Sequence, residues 1–151
     1  MGTSEVVKCA FQSLKPAVFQ TRRVKAAFPG RKLYCALNIS FHHRDLARLR
    51  EHIALFGQYP LDAFIIQDLG LLDLLGERFS HTPLHLSTQA NCINREAAKL
   101  YRRLGFSRIV LGREASLAEI REIKDVHIRI GTGSLCIRRC LGSVDWIRGK
   151  R

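Results

Sequence analysis

Five short, almost wholly apolar stretches recur along the chain, and a one-sided amphipathic segment follows each of the first four. The stretches are KLYCALNI (32–39), DAFIIQD (62–68), PLHLSTQ (83–89), SRIVLGR (107–113) and VHIRI (126–130). Strands with so little polar alternation cannot leave one face in water, so they call for a parallel sheet covered by helices. The intervening segments supply those helices. Asp45 is placed to cap the first, in which Leu46, Leu49, Ile53 and Phe56 share a face, and Tyr59-Pro60 breaks it. LGLLDLLGERF (69–79) forms a short Leu-rich second helix. Asn94 caps a third, with Ala97, Leu100, Tyr101 and Leu104 expected to pack inward and Gly105 just past its end. Ser116 and Glu119 form a capping box opening a fourth, with Leu117, Ile120 and Ile123 facing in. The expected class is therefore α/β. Five strands suit either a doubly wound sheet or an arc of a closed barrel. The reading adopted is a partial (β/α) TIM-like barrel of about four to five parallel βα units, since a full barrel usually takes about 250 residues.

The two ends lack this pattern. Residues 1–31 carry six Lys/Arg against one Glu, and residues 129–151 carry six against one Asp. Residues 32–128 are nearly balanced, with 13 basic and 11 acidic side chains, so the formal charge of +12 resides mainly in the ends. That distribution weakens a nucleic-acid reading built on charge alone. Three regions are expected: a poorly patterned basic segment at 1–31, in which 18–28 could form a basic helix, a partial barrel at 32–130, and a basic Cys/Gly-containing tail at 131–151. No apolar run approaches the ~20 residues of a membrane span, and no signal peptide is read at the amino terminus. A cytoplasmic address follows as an expectation. The five cysteines, Cys9, Cys35, Cys92, Cys136 and Cys140, are odd in number and read as reduced thiols.

In parallel α/β folds the working residues collect at the carboxyl ends of strands. Here those positions hold Asn38, Gln67 with Asp68, Ser87-Thr88-Gln89 with Asn91 and Asn94, and Arg113 with Glu114. Asn38, Gln67, Asp68, Ser87, Gln89, Asn94, Arg113 and Glu114 form the candidate pocket. The competing explanation for each is ordinary turn and cap chemistry. Period-two geometry would put His85, Ser87 and Gln89 on one face, but no orienting group or oxyanion hole accompanies them. His42 and His43 read as a solvated loop. Cys136-x₃-Cys140 lies beside two arginines, and two thiols do not complete a four-ligand metal site. No catalytic residue is assigned.

The linked set Gln67-Asp68-Leu69-Gly70, Ser87-Thr88-Gln89, Asn94-x-Glu96-Ala97 and Arg113-Glu114-x-Ser116-Leu117 resembles the collagenase-like peptidases of family U32, over about residues 31–130. The resemblance implies a barrel-like catalytic domain and two activities. One is peptide-bond hydrolysis of unassigned mechanism on a peptide or protein substrate, which is the expectation taken from the family's name. The other is hydroxylation of RNA or of ubiquinone precursors, in several members with an iron–sulfur cluster held by cysteines. Gly133-Ser134-Leu135-Cys136 matches part of the family's cysteine segment, making Cys136 a remnant cluster ligand, while Thr132 replaces a family His and Cys140 falls out of step. No cofactor is expected on this chain itself. The departures at both ends suggest a truncated member, with a shifted reading frame outside about 31–136. An inactive remnant that self-associates through an exposed sheet edge and a non-catalytic basic RNA-binding fragment are the remaining alternatives.

Overall fold

The computed structural model describes residues 4–8, 22–23, 25–30 and 32–131. Six strands form one sheet: β1 (Ser4–Lys8), β2 (Lys32–Leu37), β3 (Ala63–Ile66), β4 (Leu84–Leu86), β5 (Phe106–Val110) and β6 (Arg129–Gly131). Every neighbouring pair is parallel, and the spatial order is the chain order, β1 to β6. A doubly wound sheet reverses direction at a switch point; this one never does.

The helices α1 (His43–His52), α2 (Leu72–Phe79), α3 (Arg95–Arg103) and α4 (Leu117–Lys124) connect successive strands from β2 onward. All four pack on one face of the sheet. Leu49, Leu74, Leu75, Ala98, Ile120 and Ile123 from the helices share a single core with Cys35, Leu37, Phe64, Ile66, Leu86 and Ile109 from the strands. Phe64 stands at the centre of this layer, edge-on to Phe56 at 5.9 Å and to Phe79 at 5.2 Å. The alternate residues Tyr34, Ala36, Ala63 and Ile65 form a smaller buried cluster on the opposite, helix-free face.

The local rules explain most boundaries. Asn94 accepts from the Ala97 amide at 2.8 Å, and Ser116 and Glu119 exchange the bonds of a capping box. Gly105, with φ of 91°, closes α3 in a conformation other residues adopt only with strain. Three expectations need correction. Asp45 is not the cap of α1. It sits one turn inside, its carboxylate accepting from the amide of His42, which is the capping residue. The first helix is not continuous to Phe56, because a tighter 3-10 segment takes over at Ile53–Gln58. Leu100, Leu104 and Leu117 do not face inward; all three are exposed. On α3 the core is reached by Ala97, Ala98 and Tyr101, and on α4 by Ile120 and Ile123, so the leucines beside them stay in solvent.

A further difference lies near the amino terminus, where the sequence gives no period of either kind. Ser4–Lys8 forms a strand paired along its whole length with β2. Residues 22–23 and 25–27 are helical and dock against the amino ends of the strands. Arg22 Nε donates to the Gln58 carbonyl at 3.1 Å, and Lys25 Nζ donates to the Pro60 carbonyl at 2.8 Å and to Asp62 at 2.7 Å. Asp62 also accepts from the Leu33 amide and from Lys32. Partial burial works against its charge, but these donors prevail and hold the carboxyl below its usual range. Conserving order at this end of a parallel α/β unit serves stability rather than chemistry. Among the described residues no helix is long and apolar enough to cross a membrane.

Candidate functional site at the carboxyl ends of the strands

The parallel order delivers the polar strand ends to one edge of the sheet, each on the loop that leads into the next helix. Asn38 follows β2 and is half-buried. Gln67 follows β3 and donates from Nε2 to the Ser40 hydroxyl at 3.1 Å. Asp68 does more. One carboxylate oxygen accepts from the Phe41 amide at 2.8 Å, and the other accepts from the Gly70 amide at 2.9 Å. It therefore braces two neighbouring loops while capping the turn Leu69–Leu71.

Ser87 is buried at the end of β4, and its hydroxyl accepts from the Gln89 amide at 3.3 Å. This bond opens the 3-10 turn Thr88–Ala90. The strand ends at Leu86, and Gln89 lies exposed in the 3-10 turn that follows, so strand alternation does not extend to it. Asn94 is committed to capping α3. Arg113 and Glu114 occupy the exposed turn between β5 and α4. Of the predicted set, the structure thus joins Gln67 and Asp68 to the 40–41 loop and uses Ser87 and Asn94 as caps.

The loops after β4 and β5 are stitched together at a residue the sequence reading passed over. The Gly112 amide donates to the Cys92 carbonyl at 2.9 Å. A Cβ at Gly112 would lie 2.5 Å from Asn91 Oδ1, 2.7 Å from Ile93 Cγ2 and 3.3 Å from Glu114 Oε2. Asn91 itself adopts φ of 50°, a left-handed conformation asparagine tolerates better than most residues. Asn91 and Glu114 thereby converge over a glycine that has no side chain to separate them. The signal in the sequence was the apposition of Asn91 and Gly112 after consecutive strands, visible only once the strands are adjacent.

Behind this edge, His85 is buried on the helix-free face, its ring edge-on to Tyr34 at 5.0 Å. Burial, helped by the positive charges of Arg108 and Arg129, pushes its pKa down to about 4, so the imidazole is neutral at physiological pH. Cys92 is buried and its thiol is pushed up to about 11 by desolvation. Cys35 lies in the helix-side core. Among the described residues no group of three or more His, Cys, Asp or Glu could hold a metal ion. Cys35 and Cys92 are both buried free thiols, while Cys9, Cys136 and Cys140 lie outside the described residues.

The family model of peptidase family U32 matches residues 8–143. The chain belongs to this family. The match runs past both ends of the span on which the motif resemblance rests. A solved structure of a U32 peptidase superposes with a TM-score of 0.63 at 16% identity, covering 99% of this chain and 73% of that one, which supports the fold alone. Among curated U32-like relatives, the tRNA hydroxylation protein P of Escherichia coli (strain K12) is 38% identical over 120 residues, covering 74% of this chain and 26% of its own length. The 23S rRNA 5-hydroxycytidine C2501 synthase of the same organism is 37% identical over 112 residues, covering 72% of this chain and 17% of that protein. The chain spans about a quarter of the length of the first of these relatives. These names overturn the expectation of peptide-bond hydrolysis. The family's title describes a peptidase, whereas these similar curated proteins are named for hydroxylating RNA.

Proposed function

We propose that this chain is the sheet-forming portion of an RNA hydroxylation protein, and that its arc of βα units belongs to a (β/α) barrel whose carboxyl-end loops face the RNA. The observation that carries the reading is the 38% identity over 120 residues to the tRNA hydroxylation protein P of Escherichia coli. The unreversed parallel order supports the barrel, because consecutive strands in chain order are how a singly wound barrel is built. The basic excess lies mainly in residues 1–31 and 129–151, so on this reading phosphate attraction comes from the two ends rather than from the nearly balanced centre. On this reading the chain carries no cofactor of its own, works in the cytoplasm, and as an isolated arc self-associates through an open strand edge.

The test sets the two chemistries side by side on the full chain. Filter retention of bulk tRNA is measured across a salt series, and denatured collagen is incubated with the same preparation. The reading expects tRNA retention that falls steeply with salt and an uncut collagen chain. Collagen cleavage without tRNA retention contradicts it.

A further inference from the structure

Three side chains used by none of the rim loops stand in one row across the sheet. His85 on β4 is the Cα partner of Arg108 on β5, and Arg108 is the partner of Arg129 on β6. Neighbouring strands lie about 4.8 Å apart, so successive members of such a row are within side-chain reach.

An irregularity in the sheet is what brings Arg108 into this row. Phe106 pairs with Leu84 and is buried in the helix-side core. Simple alternation from Phe106 would send Arg108 into that same core. Instead the register shifts between Leu84 and His85. Ser107 is left exposed, its hydroxyl donating to the Leu84 carbonyl at 3.0 Å. Ile109 then rejoins the core beside Leu86, and Arg108 turns to the helix-free face with His85. Bulges of this kind re-aim side chains and are over-represented beside active sites. Arg129 reaches the same face by plain alternation, since Ile128 and Ile130 on either side of it both pack on the helix-side core.

The result is two guanidinium groups on directly paired residues. Among the described residues neither has a hydrogen-bond or ion-pair partner. Like charges directly opposite one another are destabilising, and arginine does not relieve the repulsion by losing a proton. An anion seated between the two forks would relieve it, with bidentate geometry suited to a phosphate. The neutral imidazole of His85, held edge-on by Tyr34, adds an N–H donor without further charge.

We infer that His85, Arg108 and Arg129 form a phosphate-binding subsite on the helix-free face of the sheet. It lies one residue pair below the rim, beneath Ser87, roughly 7 Å from it along the strand. A phosphodiester of RNA and a free phosphate monoester share the chemistry this subsite recognises. The inference goes beyond the proposed function and does not require it.

Inorganic phosphate is titrated into the full chain at constant ionic strength, balanced with sodium chloride, and the thermal midpoint is followed. The expected result is a phosphate-specific rise whose apparent Kd weakens at least tenfold in Arg108→Gln and in Arg129→Gln. Arg121→Gln, on the exposed side of α4, leaves it unchanged. Arg129 is exposed near the end of the described sheet, so its variant carries the comparison even if Arg108→Gln does not fold. A midpoint that responds to phosphate no more than to chloride, or equally in wild type and Arg129→Gln, overturns the subsite. Competition with a tetranucleotide then names the source. Displacement of phosphate supports the subsite with RNA as its ligand, and co-binding supports it with a free phosphorylated molecule. None of these readouts involves hydroxylation, so a failed subsite and a failed RNA-modification reading are told apart.

Discussion

Gly112→Ala probes how tightly the loops after β4 and β5 are joined. The new methyl would meet Asn91 Oδ1 at 2.5 Å and Ile93 Cγ2 at 2.7 Å, both closer than real Cβ contacts come. Both atoms belong to side chains, so the cost depends on how far those side chains can turn while their backbone stays held. Asn91 is fixed in the left-handed region at φ of 50°, and the Cys92 carbonyl between them accepts the Gly112 amide at 2.9 Å. Forcing a methyl into such a site costs about 1–3 kcal/mol. For a domain of this size each kcal/mol lowers Tm by about 2–4 °C, so a fall of roughly 4–8 °C is expected for a mid-range cost of about 2 kcal/mol. Thermal unfolding followed by circular dichroism reads it. Asn91→Gly in the same background removes the shortest contact and suits the left-handed backbone, and should recover part of the loss. An unchanged Tm for Gly112→Ala would refute the close apposition of the two loops. A second variant that recovers nothing would assign the strain to Ile93 instead.

Asp68→Ala removes the acceptor of the Phe41 and Gly70 amides, and a loss of about 1–3 kcal/mol is expected by chemical denaturation, with Asp68→Asn intermediate. Stability should also fall as pH drops from 6.5 towards 4. The folded pKa of His85 is depressed to about 4 from an ordinary 6.5, so in that window the unfolded chain takes up a proton that the folded one refuses. The loss is at most ~3 kcal/mol. His85→Gln should flatten it, and an unaltered pH profile would count against burial of this ring. Cys92, with its thiol raised to about 11, should resist iodoacetamide at pH 8 in the folded chain and react on denaturation, as peptide mapping by mass spectrometry will show.

The sequence made the repeating units legible because each one carried its own local instructions. Asn94 before Arg95, Gly105 after Leu104, and Ser116 three residues before Glu119 are short-range signals, and the structure places a helix end at each. Non-local features were hidden. The strand Ser4–Lys8 has too short and too mixed a composition to announce itself, and its place is set by pairing with β2. The exposure of Leu100, Leu104 and Leu117 depends on how far the neighbouring layer extends, which helical spacing does not encode. The rim residues were legible as positions, since parallel strands must bring their carboxyl ends together. Their partners were not, because the Asp68 brace and the Gly112 contact cross between loops. The bulge at Ser107 inverts the face that alternation assigns to Arg108, so no periodic reading could put Arg108 beside His85. The activity was not legible in the family name, because one scaffold carries several chemistries.

A chimera offers the most direct measurement. In an Escherichia coli strain lacking its tRNA hydroxylation protein P, a version of that protein is expressed in which the 120 matching residues are replaced by those of this chain. Mass spectrometry of nucleosides from purified tRNA then counts the hydroxylated product. Hydroxylated nucleoside is expected to return, and Arg113→Ala or Glu114→Ala in the grafted segment is expected to lower it. A stably expressed, folded chimera that yields no hydroxylated nucleoside would contradict the assignment of this chain to RNA hydroxylation.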